Sequence, residues 1–395
     1  MNQPLRARSR RKRSKRIRGR HNSRLGRRST AVSSPRRSIS GKPRGAFSPK
    51  ARGRQAEDHS ERLLEDIRSS GIEAGQQAIR EHIQNNGQRD CPVREHFRKS
   101  LAASFHAAFG AALPEFVIAM AYGMAFREGY LSSFEGSPPD LGVPVPLSGE
   151  VSVVITACNE GKTIGTLLYE LERLFVKEKI VVLNGCTDNS FSLIKERKDI
   201  ILAYYPDRLG HDVGRAVGAK LSTGEAVLFV DGDMKVPAEE LAAFLYEQEK
   251  GLDVVLNDIS PYLPVFARQD EVSRCKLFLN QALGRSDLKS NSMTAIPHVL
   301  SRRAIQTIGT ANLAVPPKAQ AIAILEGLLV AAPCTADVIG RNRVREGNVG
   351  AGNSVLLLIL GDHMEAVGEA IRRRGPRLLW QTESRASLAK ERNRR

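Results

Sequence analysis

Between residues 151 and 231, short apolar runs alternate with stretches whose apolar residues recur at helical spacing. "VSVVITA" (151–157), "EKIVVLNG" (178–185), "DIILAYY" (199–205) and "EAVLFVD" (225–231) are rich in β-branched residues and bounded by turn formers, so each reads as a strand. "TIGTLLYELERLF", "NSFSLIKERK" and "DVGRAVGAKLS" lie between them and read as helices. Strands that are apolar throughout, rather than alternating, belong in a sheet covered on both faces. The βαβα order therefore predicts an α/β fold with a mostly parallel, doubly wound, Rossmann-like sheet and flanking helices.

Outside this block the pattern changes. Residues 56–134 are helical in texture. Leu63, Leu64, Ile67, Ile72, Ala78 and Ile79 form one stripe behind Ser60, a candidate N-cap, and a second apolar stretch breaks into two helices near Pro114. Residues 135–149, "EGSPPDLGVPVPLSG", read as a proline-rich linker. The expected organisation is a basic tail (1–55), a helical segment (56–134), this linker, an α/β domain (150–345) and a C-terminal helical extension (346–395).

Charge changes the picture at the N-terminus alone. The formal net charge is +17, yet residues 1–54 hold 20 Lys and Arg and no Asp or Glu, which leaves the remainder nearly balanced. Such a segment cannot bury enough apolar surface to offset its ordering entropy, so it reads as disordered. Its partners are either solvent alone or an anionic surface, a membrane or a polymer. Residues 1–45 interleave no aromatic side chains, which argues against base stacking and against sequence-specific nucleic-acid binding. The five cysteines are isolated, with no metal-ligand spacing, and fit a reducing, cytoplasmic setting, with peripheral membrane attachment as a role for the tail. No uninterrupted apolar run reaches the roughly 18 residues that a membrane-spanning helix needs, and the N-terminus lacks the apolar core of a secretory signal.

Candidate chemistry sits where ligands bind in open α/β sheets, at the carboxyl ends of strands. Strand one ends in Ala157 followed by Asn159 and Glu160, and strand two in Asn184 followed by Asp188. Each is also what a helix cap or tight turn requires. Strand four ends in Asp231-Gly232-Asp233. A turn needs one carboxylate, whereas two straddling a glycine repel unless a cation lies between them. Oxygen ligands of this kind suit Mg2+ or Mn2+ bridging to a diphosphate.

Taken together, "TACNEGKTI", "VVLNGCTDNS", the glycine-containing helix "GRAVGAKLSTGE" and "VLFVDGDM", in this order, resemble the family-2 glycosyltransferases of GT-A fold over residues 150–345. The resemblance implies a metal-dependent transferase of hexosyl type acting on a UDP- or GDP-linked sugar. It puts Glu160 and Asp188 at the nucleotide base and Asp231 and Asp233 on the cation and diphosphate, with Ala157, Asn159, Asn184 and Gly232 in the same nucleotide-sugar site. Where many members have Lys-Gly before the third helix, this chain has Gly210-His211-Asp212, so His211 or Arg215 would supply the donor to the nucleotide. The C-terminal part is similar to the glucosyl-3-phosphoglycerate synthase type, but Gly340 stands where that group has a metal-binding histidine. His363 is the candidate third ligand and His298 another, with Arg341 and Arg343 as candidate phosphate contacts. The usual catalytic carboxylate is not evident, Glu326 being the nearest choice, so the stereochemical course is not assigned. Two other readings stay open: a sugar-phosphate nucleotidyltransferase, and a non-catalytic nucleotide-sugar-binding module tethered by the tail.

Overall fold

The four apolar runs are strands in the structure, a computed structural model that describes residues 49–84, 93–136, 138–338, 340, 354–380 and 384–394. Contacts divide the chain into two units at Arg54/Gln55, and the sheet belongs to residues 55–395. The tail over residues 1–48, Cys91, Arg341 and Arg343 lie outside the described residues. In chain order the elements are α1 (Pro49–Gln84), α2 (Val93–Phe109), α3 (Phe116–Ser132), β1 (Val151–Ala157), α4 (Ile164–Glu172), β2 (Glu178–Asn184), α5 (Ser190–Ile194) and β3 (Ile200–Tyr205). There follow α6 (Val213–Leu221), β4 (Ala226–Asp231), α7 (Ala238–Glu249), β5 (Val254–Asn257), α8 (Glu271–Ala282), β6 (His298–Ser301) and α9 (Arg302–Ile308). The last are α10 (Pro316–Leu325), β7 (Val330–Cys334), α11 (Ser354–Arg374) and α12 (Arg385–Arg392).

One seven-stranded sheet runs in the order β3-β2-β1-β4-β6-β5-β7. β1 pairs in parallel with β2 and with β4, and β2 with β3, while β6 runs antiparallel to both β4 and β5. The expected α/β class, with a mostly parallel sheet and flanking helices behind an N-terminal helical segment, is the one found. Register places the site. Ala157 lies opposite Leu183 and Thr156 opposite Asp231, so the ends of β1, β2 and β4 share one edge of the sheet. Because β5 is antiparallel to β6, its carboxyl end points to that edge too.

Burial follows the pattern that predicted it. Every residue of β1 except Thr156 is buried, and β4 is buried up to Asp231. α6 lies close against β1 because Gly218 has no Cβ; one added there would run into the Val154 side chain. A single hydrophobic core unites the sheet with the N-terminal helices: Phe97, Leu101, Phe105 and Tyr130 belong to the same cluster as Val153, Ile180 and Val227. Segment 141–147, read from sequence as linker, is buried and packs into this core through Leu141, Val143, Val145 and Leu147. Gly123 of α3 makes room for the Pro144 carbonyl.

Three local expectations are corrected. Ser60 is not an N-cap; it lies inside α1, because the Lys, Ala, Arg and Gln residues before it favour helix and Pro49 suits the first turn. For the same reason residues 49–55, assigned to the tail, are already helical. The helix after β2 covers only Ser190–Ile194 of the stretch expected, since the chain must turn back within a few residues to start β3 at Ile200.

Candidate active site

The site is built from backbone upward. Asn159, just past β1, sits at φ +62, a left-handed conformation that short polar side chains tolerate. This turns its amide group toward the β2 loop, where Oδ1 accepts hydrogen bonds from the backbone N–H groups of Thr187 (2.7 Å) and Asp188 (3.1 Å). Asp188 answers across the gap: Oδ2 accepts from Gly161 N–H (2.9 Å) and Oδ1 from Ser190 N–H (3.0 Å). Burial pushes the Asp188 carboxyl up, but the hydrogen bonds from Ser190 and Gly161 outweigh it and hold the group below its usual range. The two strand ends are thus laced together, and Asp188 is an ionised turn-capping group. Glu160 is buried beside them at 3% exposure; its backbone N–H donates to Ser190 Oγ (3.0 Å).

Asn184, at the end of β2, is engaged by the chain itself. It clamps the following loop, donating from Nδ2 to the Gly210 carbonyl (2.7 Å) and accepting from Leu209 N–H (2.8 Å) at Oδ1. That clamp fixes the loop carrying His211, which is exposed, and Asp212, which is buried.

At the end of β4 the Asp231 carboxylate is half-buried. Its Oδ1 accepts from Thr156 Oγ1 at 2.6 Å. Gly232 is wedged against β1, with its N–H on the Thr156 carbonyl (2.8 Å) and its own carbonyl taking the Thr163 hydroxyl (2.7 Å). A Cβ at Gly232 would come within 2.9 Å of the Ala157 Cβ, so the tight turn needs glycine here and Ala157 is its wall. Asp233 follows, partly buried. Behind the pair lies Arg215 of α6. Nη1 contacts Asp212 Oδ1 (3.1 Å) and donates to the Met293 carbonyl (3.1 Å), while Nη2 stands 3.8 Å from Asp231 Oδ2. The longer separation is an ion pair rather than a hydrogen bond.

The donor set fits a hard divalent cation. Asp231 and Asp233 would offer it carboxylate oxygens from a turn held by the Thr156 hydroxyl and the Gly232 N–H. His363 belongs to α11. It lies buried in α11, with Nδ1 bonded to the Ile359 carbonyl (2.7 Å) and Nε2 without a hydrogen-bond partner, and burial lowers its basicity. Among the described residues no group of three His, Cys, Asp or Glu side chains is positioned to hold a metal, so His363 does not complete a cage with the two aspartates.

The other candidates separate cleanly. His298 is a core residue, stacked on Phe229 with centroids 5.0 Å apart; burial, helped by nearby Arg215, pushes it down to about 3, so it stays neutral. Glu326 pairs with Arg373 on the surface. Gly340 N–H bonds to Asp337 (2.7 Å). Sequence reasoning missed Thr156, although it is a polar residue in an otherwise apolar half-strand, and Asp212, the buried partner of Arg215. It also missed Lys276 of α8, which carries no motif; burial lowers its ammonium to about 8.

Residues 152–305 match the model of Glycosyl transferase family 2. No curated protein matches the chain. Among solved structures it is similar to glucosyl-3-phosphoglycerate synthase from Mycobacterium tuberculosis in complex with Mn2+, UDP and phosphoglyceric acid, at 15% identity over 57% of this chain and 78% of that one, TM-score 0.41. It is similar also to S. aureus TarS 1-349 in complex with UDP, at 21% identity over 44% and 55% of the two chains, TM-score 0.31. Both likenesses are shallow, so the assignment rests on the family model, which covers β1 to β6 and with them every strand end described above. Residues 152–305 are a glycosyl transferase family 2 domain.

Proposed function

We propose that the protein is a metal-dependent glycosyltransferase that takes a sugar from a UDP- or GDP-linked donor. The observation that carries this reading is the pair Asp231 and Asp233 on a turn pinned by Thr156 and Gly232, at the edge where β1 and β2 also end. Mg2+ or Mn2+ held there would neutralise charge on the departing diphosphate. The chain's own residues do the rest. Asn159 and Asp188 fix the nucleotide end, with Glu160 beside them. Arg215 would lend positive charge behind the Asp231 turn, and the exposed His211 on its clamped loop would meet the nucleotide. Catalysis then rests on stabilising the leaving group and orienting an acceptor. The basic residues 1–54 would attach the enzyme to an anionic surface.

Melting curves with UDP, GDP, UDP-glucose and GDP-mannose, each with and without Mn2+, test the donor class. The expected result is stabilisation by one nucleotide family that requires Mn2+. Asp233→Asn abolishes that shift while the unliganded melting point stays near wild type. A shift that survives the substitution refutes the metal role. Release of nucleoside diphosphate from the donor sugar supports transfer, whereas pyrophosphate release from a nucleoside triphosphate would support nucleotidyl transfer instead.

A further inference from the structure

Two of the five cysteines flank the nucleotide site, and the metal-binding scheme uses neither. Cys158 directly follows β1 and Cys186 follows β2, on adjacent parallel strands. Each thiol reaches the carbonyl of the residue that precedes the other cysteine: Cys158 Sγ lies 3.7 Å from the Gly185 oxygen, and Cys186 Sγ lies 3.6 Å from the Ala157 oxygen. The side chains therefore cross over the same gap between the strand ends, both as free thiols.

Their surroundings differ in a way that assigns them roles. Cys158 is partly exposed, and the Arg208 guanidinium sits 3.3 Å from its sulfur. Of the two thiols it is the one a dissolved oxidant reaches. Cys186 is buried, and burial pushes its thiol up, with Cys158 and Asp188 adding to the effect. It is the protonated partner. Cys186 is also part of the site's scaffold, because Asn159 N–H donates to its sulfur (3.4 Å) while Asn159 Oδ1 holds the Thr187 and Asp188 amides.

We propose that Cys158 and Cys186 are an oxidisable dithiol whose disulfide closes the nucleotide site. With hydrogen peroxide as oxidant, the Cys158 sulfur attacks as its thiolate on one peroxide oxygen, the O–O bond breaks, and a sulfenic acid and hydroxide result. The Cys186 sulfur then displaces the sulfenic hydroxyl; its proton and that hydroxyl leave as water, and the S–S bond forms. Peroxide gains two electrons and the two thiols lose two. Moving the Cys186 sulfur toward Cys158 takes it from the Asn159 amide and shifts the turn that orients Asp188. The coupling to nucleotide rests on the function proposed above; the disulfide itself does not.

The full chain is treated with hydrogen peroxide or with dithiothreitol, alkylated, digested and analysed by mass spectrometry, and UDP binding in the presence of Mn2+ is measured on both samples. The expected result is a cross-linked peptide pair containing Cys158 and Cys186, with Cys275 and Cys334 still alkylated. Affinity for UDP falls at least tenfold and returns on reduction, and Cys158→Ser, the less buried of the two positions, abolishes the sensitivity. Absence of the cross-link overturns the proposal. A cross-link that leaves affinity unchanged overturns the coupling. A cross-link in a protein whose reduced form never binds UDP or GDP leaves the dithiol standing and refutes the nucleotide site.

Discussion

Thr156 shows how much one hydroxyl decides at the residue scale. It points a 2.6 Å hydrogen bond at Asp231 Oδ1, and its backbone carbonyl holds Gly232 N–H. Thr156→Val keeps the shape and deletes the first of these. A hydrogen bond to a charged group contributes about 1.5–3 kcal/mol, so the variant is expected to melt modestly lower than wild type and, if Asp231 is held for the ligand by this bond, to bind Mn2+ and UDP roughly tenfold or more weakly by calorimetry. Unchanged affinity would separate Asp231 from the ligand site. Asp362 offers a test of a different kind. Burial, with Asp212 and Glu365 adding and His211 opposing, pushes its carboxyl up to about 6. An unfolded aspartate titrates near about 3.9, so the native state binds the extra proton between those values. Its contribution to stability is complete below about pH 4 and is lost as pH rises to about 6. Asp362→Asn is therefore expected to match wild type at the acid end of a melting series and to melt higher than wild type above neutrality. Coincident curves throughout would place Asp362 in solvent.

At the scale of elements the close approach of α6 to β1 is the feature on which the site depends. Arg215 reaches Asp231 because the helix lies directly on the strand, and Gly218 permits that contact. Gly218→Ala drives a methyl group into Val154; overpacking of this sort costs about 1–3 kcal/mol. The expected outcome is a lower denaturation midpoint together with weaker nucleotide binding, as Arg215 is lifted from Asp231. Loss of stability with full affinity would show that the two are independent. The elements up to β4 were legible in the sequence because each strand is apolar along its whole length and each helix has its own stripe. β5, β6 and β7 were not. They span Val254–Asn257, His298–Ser301 and Val330–Cys334, short runs without alternation, and β6 reverses direction by pairing with β4 and β5, which no local pattern encodes.

For the whole molecule the question is what the N-terminal helices contribute. Phe97 of α2 packs on Phe175 (5.9 Å between ring centroids), Phe105 on Tyr246 (6.1 Å), and Arg98 Nη1 donates to the Leu147 carbonyl (3.1 Å). Burial pushes the Tyr246 hydroxyl up to about 12 while it donates to the Pro114 carbonyl at 2.9 Å. These rings fill the same core as the sheet. Removing residues 1–48 is accordingly expected to leave the melting point and Mn2+-dependent UDP binding unchanged, with any loss confined to sedimentation with anionic vesicles. Removing residues 1–134 is expected to yield aggregated or proteolytically labile protein. A well-behaved fragment 135–395 would instead make the helices a separate domain. No helix among the described residues is long and apolar enough to cross a membrane.

The sequence by itself determined the α/β class, the positions of β1 to β4 and the three polar strand ends, because burial on both faces and strand-end placement are written in local hydrophobic order. It also singled out Asp231-Gly232-Asp233, to which the proposed function assigns a cation, since paired carboxylates around a glycine have little use in a turn alone. Only the tertiary structure decided which of these side chains already have structural work. Asn184 is spent on a loop clamp, Asp188 caps a turn, and His298 is sealed in the core. His363, chosen from sequence as a ligand, lies within α11 away from any three-ligand group. Distances between strand ends and helices far apart in the chain are set by packing, and local pattern does not contain them. The same reason hid Thr156, Asp212 and the facing thiols of Cys158 and Cys186, whose significance exists only once β1, β2 and β4 lie side by side.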